Sequence, residues 1–180
     1  MDQFTFRNLE VFSSSAGKDG VSLVECIDRC LTPMGARLLR SWLAMPIFSL
    51  QQLGDRHDVV QFFCDNDLAL SECQSLLSEV GDLERIISRA ATGKILPREV
   101  KSLSRSLRQM APIAQLACTS QVDALVRLGS GMKACEELIE RIERTLAESP
   151  AAMVGKGDVI AKGVDAELDS LREVSTGGKS

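Results

Sequence analysis

Apolar residues recur along this chain at intervals of three and four, and almost nowhere in strict alternation, so the pattern predicts helices separated by short polar breaks. Residues 1–12 alternate only loosely and read as an extended or turn-bearing lead-in, and Ser13 to Gly20 reads as a polar surface loop. Ser22 and Glu25 have capping-box spacing, with Leu23, Ile27 and Leu31 on one face of the helix that follows. Thr32 and Pro33 restart the chain as N-cap and first helical residue. Leu38, Leu39, Trp42 and Leu43 are expected as the buried stripe of that second helix, and Pro46 ends it. The two short helices meet at a hard corner.

Ser49 and Gln52 repeat the capping spacing, and Leu50, Leu53, Val60 and Phe63 follow at helical intervals. His57 falls on the same stripe and is expected as a satisfied, partly buried imidazole, because a general base would need a partnered nucleophile and none is identifiable. A turn over Asp65 to Asp67 and a helix from Leu68 to Val80 come next, then a break at Gly81 with Asp82 as N-cap. Leu83, Ile86 and Ile87 are expected to face the core, and Gly93 to close that helix from the left-handed region. Pro97 opens a long helix running to Met110, with Val100, Leu103, Leu107 and Met110 inside. Further helices are predicted over 120–128 and 132–147, interrupted by Gly129-Ser130-Gly131 and ended by Ser149-Pro150. Val164, Leu168 and Leu171 hint at one more before the chain reaches Gly177-Gly178-Lys179-Ser180. The sum is an all-α, irregular multi-helix bundle of seven to nine helices, without sheet or internal repeat.

Composition supports helices: among 180 residues there are no Tyr, one Trp and only five Pro. Net charge is −4, from 21 Lys plus Arg against 25 Asp plus Glu, which does not fit a free-standing nucleic-acid binder but leaves room for a segment of a larger DNA-binding machine. No signal peptide and no apolar run long enough to span a bilayer is visible. Cys26 and Cys30 are spaced to share a face of one predicted helix, yet the remaining cysteines and the single histidine supply no consistent ligand set, so scattered thiols are the plainer account of all six.

Candidate chemistry is thin. Ala16-Gly17-Lys18 lacks the upstream glycine and the following hydroxyl of a phosphate loop. Acidic residues are scattered over wet faces, so an enzyme acting alone is not expected. Between 81 and 110 there are seven basic residues (Arg85, Arg89, Lys94, Arg98, Lys101, Arg105, Arg108) against three acidic ones (Asp82, Glu84, Glu99). Arginines at that spacing either track phosphates along one face or hold adjoining helices together through carboxylates and helix C-termini. Asp28 and Arg29, close to Arg37 and Arg40, raise the same choice at the Thr32-Pro33 corner.

Taken together, Arg7-Asn8-Leu9-Glu10, Ser22-Leu23, Asp28-Arg29, the run Thr32 to Arg40 and Trp42-Leu43 resemble the central core, or lever, domain of the MutS family of DNA mismatch-repair proteins. The resemblance continues through Pro46, Arg56-His57-Asp58-Val59-Val60, Asp82-Leu83-Glu84-Arg85-Ile86, Pro97-Arg98-Glu99 and the stretch Gly163 to Arg172, in order and over almost the whole chain. Cys30, His57 and Ile47 depart from the family's usual Thr, apolar residue and Leu, which are tolerable packing changes. The family's Phe-x-Glu mismatch-reading motif and its Walker loop have no counterpart here.

What the resemblance implies is a structural and allosteric lever module without catalytic, cofactor or metal residues of its own. Residues 1–162 would be the first part of the core domain, and 163–180 the start of the helix leading to the DNA clamp, partly disordered in a fragment. Pro33, Gly35, Arg37, Leu38, Trp42, Pro46, Arg56, Asp58, Asp82 and Arg85 would serve structure and coupling, as would Arg7, Asn8, Glu10, Asp28 and Arg29. Trp42 and Leu38 would be packing anchors; Asp28, Arg29, Arg37 and Arg85 would be polar links. The parent protein would bind mismatched double-stranded DNA, use ATP and Mg, act as a homodimer in the bacterial cytoplasm near the nucleoid, and meet other mismatch-repair proteins but no membrane. The alternative is a stand-alone helical adaptor that binds another protein.

Overall fold

The computed structural model describes residues 3–153 and 155–177. Among them are eleven α-helices and no strand; pairing of strand type is confined to an isolated antiparallel bridge between Leu146 and Ile160. The fold is all-α, an irregular multi-helix array, as the periodicity predicts, but with eleven helices among the described residues against the seven to nine expected.

The helices are α1 (Gln3–Asn8), α2 (Leu23–Ile27), α3 (Pro33–Ala44), α4 (Leu50–Asp65), α5 (Asp67–Ser78) and α6 (Leu83–Ala91), with a 3-10 turn at Gly17–Asp19. They continue as α7 (Pro97–Arg108), α8 (Met110–Thr119), α9 (Asp123–Gly131), α10 (Glu136–Thr145) and α11 (Ala166–Gly177). The chain divides into two compact units: Met1–Asp82 with Pro112–Met132, and Leu83–Ala111 with Lys133–Ser180.

In the first unit, backbone bonds from Leu23 N to Glu10 O and from Val24 N to Val11 O, each 3.0 Å, tie the opening segment to α2. Val11, Val24 and Val80 are buried there, as are Ile113, Ala117, Ala124 and Leu125. Helix α4 packs on α5 and α9. Gly129 lets α9 approach α8 closely, since a Cβ at that position would lie 2.8 Å from the Ala114 carbonyl oxygen and 2.9 Å from the Ala117 Cβ. In the second unit, α7 packs on α6 and α10. Ile86, Ile139 and Ile142 are buried, together with Ser104 and Ser106, whose hydroxyls donate to Lys101 O (2.9 Å) and Ser102 O (3.0 Å) one turn back.

Local signals survive folding well. Ser22 and Glu25 form the reciprocal capping box, Thr32 Oγ1 caps α3 by accepting the Gly35 N–H at 3.1 Å, and Ser49 accepts from Gln52 N–H at 3.3 Å. Gly93 has φ +68°, the left-handed closure its position predicts.

Several expectations need correction. The lead-in contains helix α1. Helix α2 has only five residues, so Cys30 lies beyond it and does not share a helical face with Cys26; its N–H is held instead by the Asp28 carboxylate at 3.0 Å. Leu23, Ile27 and Leu31 are exposed and Val24 is the inward residue. On α3 the expected buried stripe is half open: Leu38 is 52% and Trp42 42% exposed, while Leu39 and Leu43 are half-buried. At the start of α3 the approach is close at Gly35, where a Cβ would meet Thr32 Oγ1 at 3.1 Å and Cys30 Cβ at 3.4 Å. His57 is exposed, not part-buried, because α4 turns Asp55, Arg56, Val59 and Phe62 inward and leaves Leu50 and Val60 outside. Ile87 is exposed likewise.

The long helix expected to end at Met110 stops at Arg108, and a helix left unassigned, α8, starts directly after it. Pro112 sits in the first turn of α8, where a missing N–H costs little. Gly129-Ser130-Gly131 lies inside α9. Asp165 begins the tail helix by accepting the N–H groups of Glu167 and Leu168, each at 3.0 Å. Gly178-Lys179-Ser180, the end of the glycine-rich stretch read from the sequence, lies outside the described residues.

Candidate functional site

The corner between α2 and α3 is built from local polar bonds. Ser22 N and Oγ donate to Glu25 Oε2 at 2.8 and 2.7 Å, and the Asp28 carboxylate turns back onto the Cys30 N–H. Both carboxyls are held below their ordinary values, Glu25 mainly by its Ser22 hydrogen bonds and Asp28 mainly by the Cys30 backbone bond, with the Arg40 charge adding to each. Arg29 donates to the Asp28 carbonyl oxygen at 3.0 Å. Upstream, Glu10 has φ +49°, a conformation that non-glycine residues seldom adopt. Its carboxylate accepts the Ser15 N–H at 2.8 Å and the hydroxyls of Ser15 and Ser14, which lowers its pKa, the Ser15 side chain contributing most. This arrangement fastens the loop that follows.

From the corner, α3 sends Arg37 to a residue 45 positions away. Arg37 Nη1 and Nη2 donate to Asp82 Oδ2 and Oδ1 at 3.0 and 2.6 Å, a bidentate fork that fixes direction as well as distance. One turn and a half further along α3, the Arg56 guanidinium of α4 lies 3.5 Å over the Trp42 ring. A cation over an indole face at a partly exposed site contributes about 0.5–1 kcal/mol. Arg127 on α9 reaches Asp55 on α4 at 2.6 Å. Trp42, Arg56, Val60, Arg127 and Leu128 line an open groove of about 740 Å³ in this unit.

The structure thus joins four residues that the sequence singles out separately into two pairs, Arg37 with Asp82 and Trp42 with Arg56. Gly35 stands at the tight entry to α3 and Pro33 in its first turn. Pro46 follows the end of α3, Leu38 is exposed, and Arg7, Asn8, Asp58 and Arg85 are exposed side chains. Arg127 and Asp55 escaped sequence reading; apart from their opposite charges, nothing local marks two residues 72 positions apart as partners.

The second unit resolves part of the basic run. Arg89 of α6 lies 3.0 Å from Glu99 of α7 and donates to the Lys94 carbonyl oxygen at 2.9 Å, so it links two helices. Arg108 of α7 grips Glu143 of α10 with two donors, which pulls the Glu143 carboxyl below its ordinary value. At the tail, Arg172 reaches Asp158 (3.1 Å), Asp169 (3.0 Å) and the Ile160 carbonyl oxygen (2.9 Å). Asp169 also accepts the Gly163 N–H at 2.6 Å.

Among the described residues no group of three or more His, Cys, Asp or Glu side chains is placed to hold a metal ion, and no helix is long and apolar enough to cross a membrane. The six cysteines are free thiols. The arrangement holds helices at set angles by forked ion pairs and caps.

Comparison with known proteins gives that scaffold its family. Residues 4–176 match the family described as MutS domain III. The chain is 41% identical to the DNA mismatch repair protein MutS of Flavobacterium johnsoniae, with 99% of this chain and 20% of that protein aligned. It is 40% identical to those of Flavobacterium psychrophilum and Christiangramia forsetii, again over 99% of its length and 21% and 20% of theirs. The chain therefore spans about a fifth of the length of the curated relatives it matches. With helices throughout, the corner and its caps in sequence order, and a match over nearly every described residue, the chain belongs to the MutS domain III family.

Proposed function

We propose that this chain is a non-catalytic lever module of a DNA mismatch-recognition ATPase, transmitting mechanical state between a DNA-binding end and a nucleotide-binding end that lie elsewhere in a longer polypeptide. The observation that carries this reading is the match to MutS domain III over 4–176, from relatives named as DNA mismatch repair proteins of which the chain covers about a fifth. In that protein, mismatched double-stranded DNA, ATP and Mg would be bound by other domains, in a cytoplasmic homodimer that meets further repair proteins. Residues 163–180 would lead into the clamp arm.

The geometry suits such a role. Coupling between distant sites requires rigid elements with discrete packings that both ligands bias. A forked pair such as Arg37–Asp82 fixes direction as well as distance, so it favours one packing of α3 and would have to be broken in another.

The test uses a full-length MutS-type protein carrying this segment with Arg37→Gln. ATP-triggered release from a mismatched duplex, followed by fluorescence anisotropy, is expected to weaken by about 0.5–2 kcal/mol of coupling, while DNA affinity without ATP is unchanged. An unaltered response to ATP removes Arg37 from the coupling path. The 180-residue chain alone is expected to hydrolyse no ATP and to treat matched and mismatched duplex alike. Hydrolysis by the chain, or a clear mismatch preference, overturns the lever reading. A chain that functions without the remaining four-fifths of its relatives would favour the adaptor instead.

A further inference from the structure

Three cations of the basic run on α7 are not consumed by the helix-holding pairs described above. Arg98, Lys101 and Arg105 stand three and four residues apart on one side of α7 and line a cleft of about 260 Å³, closed by Glu148 and Ser149. Arg98 Nε donates to the Pro150 carbonyl oxygen at 3.1 Å, which fastens α7 to that wall and fixes the cleft's width. Pro150 itself is buried. Among the described residues, the side chains of Lys101 and Arg105 have no ion-pair or hydrogen-bond partner; Lys101 lies only within electrostatic reach of Glu143, which Arg108 already grips. The hydroxyls of Ser102 and Ser149 also line the cleft.

We propose that this cleft binds a phosphate group. The charge balance at its wall is three positive against one negative, in a chain whose overall charge is −4, so the local field opposes the net one. Two guanidiniums, an ammonium and two hydroxyls lining one small concavity match the several oxygens of a compact oxyanion. A row of carboxylates on a peptide would need an extended groove. The inference goes beyond the lever role, since it assigns a ligand to the second unit. The phosphate belongs either to a duplex backbone, read without regard to sequence or mismatch, or to a free phosphate-bearing small molecule.

The test titrates the 180-residue chain with inorganic phosphate, followed by phosphorus NMR, and with a short matched duplex, followed by anisotropy at low salt. Lys101→Gln with Arg105→Gln is expected to weaken phosphate binding about tenfold or more, the loss of two charge-assisted contacts. Arg144→Gln, which removes one positive charge at an exposed position of α10 and so matches Arg105→Gln in charge, is expected to leave it intact. Arg105→Gln alone, at an exposed side chain, gives the same direction of effect should the double variant fold poorly. Duplex binding that phosphate displaces, and whose salt slope falls by about 1 for each removed cation, assigns the cleft to DNA backbone. Phosphate binding without duplex binding assigns it to a small molecule. No saturable phosphate binding, equal loss in Arg144→Gln, or equal displacement by glutamate at matched ionic strength overturns the proposal. A mismatch preference would count against the lever reading and leave this site standing.

Discussion

The two units hold their helices in different ways. In the first, three successive helices, α3, α4 and α5, contribute no fully buried residue, and their positions are set by caps, the Arg37–Asp82 fork and the Arg56–Trp42 stack. In the second, α10 contributes the buried Ile139 and Ile142 and α7 the buried Ser104 and Ser106, and the ion pair Arg108–Glu143 joins these two packed helices. Polar fasteners specify geometry but contribute little free energy at exposed sites, whereas buried apolar area contributes much and specifies less. Within the first unit α3 to α5 are therefore positioned more than buried, its apolar core lying at Val11, Val24 and Val80 and along α8 and α9, whereas in the second the α7–α10 pair combines burial with an ion pair.

The sharpest way to break this contrast is core truncation. Ile139→Ala is expected to cost about 2–5 kcal/mol in urea unfolding, while Leu50→Ala, at a side chain 85% exposed, stays within about 0.5 kcal/mol. Equal costs would abolish the distinction. Glycines give a second, paired test inside the first unit. Gly129→Ala drives a methyl into the backbone of α8 and is expected to lower the thermal midpoint, at about 1–3 kcal/mol. Gly54→Ala, with open space around its Cβ in mid-helix, is expected to raise it by about 0.5–1 kcal/mol.

Removal of the α3 cap by Thr32→Ala comes next, at about 1 kcal/mol. A double-mutant cycle on Arg37→Gln and Asp82→Asn should give a coupling below about 1 kcal/mol, since Arg37 is half open to solvent. A much larger value would mean that the fork carries stability as well as direction. Smallest per group is the response to acid. Glu10 and Glu143 both have folded pKa values below their ordinary 4.5, so each contributes stability that is complete above that value and is lost as pH falls through the lower folded value. Their causes differ: Ser15 hydrogen bonds in one case, Arg108 in the other. Acid titrations of thermal midpoint are expected to show that high salt diminishes the part removed by Glu143→Gln more than the part removed by Glu10→Gln.

Legibility in the sequence followed range. Ser22 with Glu25 and Thr32 with Pro33 declare themselves because donor and acceptor sit within one turn. Helix α8 was hidden because Pro112 reads as a stop unless the start of the helix is already known, and Gly129 reads as a break when its actual role is to admit a neighbouring helix. The inward face of α4 was misjudged because apolar periodicity favours Leu50 and Val60, whereas Asp55 and Arg56 are drawn inward by partners on other helices. Of the candidate residues, Arg37, Asp82, Trp42 and Arg56 were each visible, but their pairing depends on which segments meet in space, which periodicity does not encode.

The chain leaves the first unit after Asp82, returns at Pro112 and leaves again after Met132. During synthesis, α3 and α4 must consequently wait for the segment Pro112–Met132, which begins 30 residues after Asp82, before their unit can close. Ordered contacts of that span slow folding, and a nascent chain halted near residue 111 would carry an open, apolar half-structure that invites chaperones. Of the three crossings, only a cut between Ala111 and Pro112 would divide both units at once, since each draws on residues from both sides of that point.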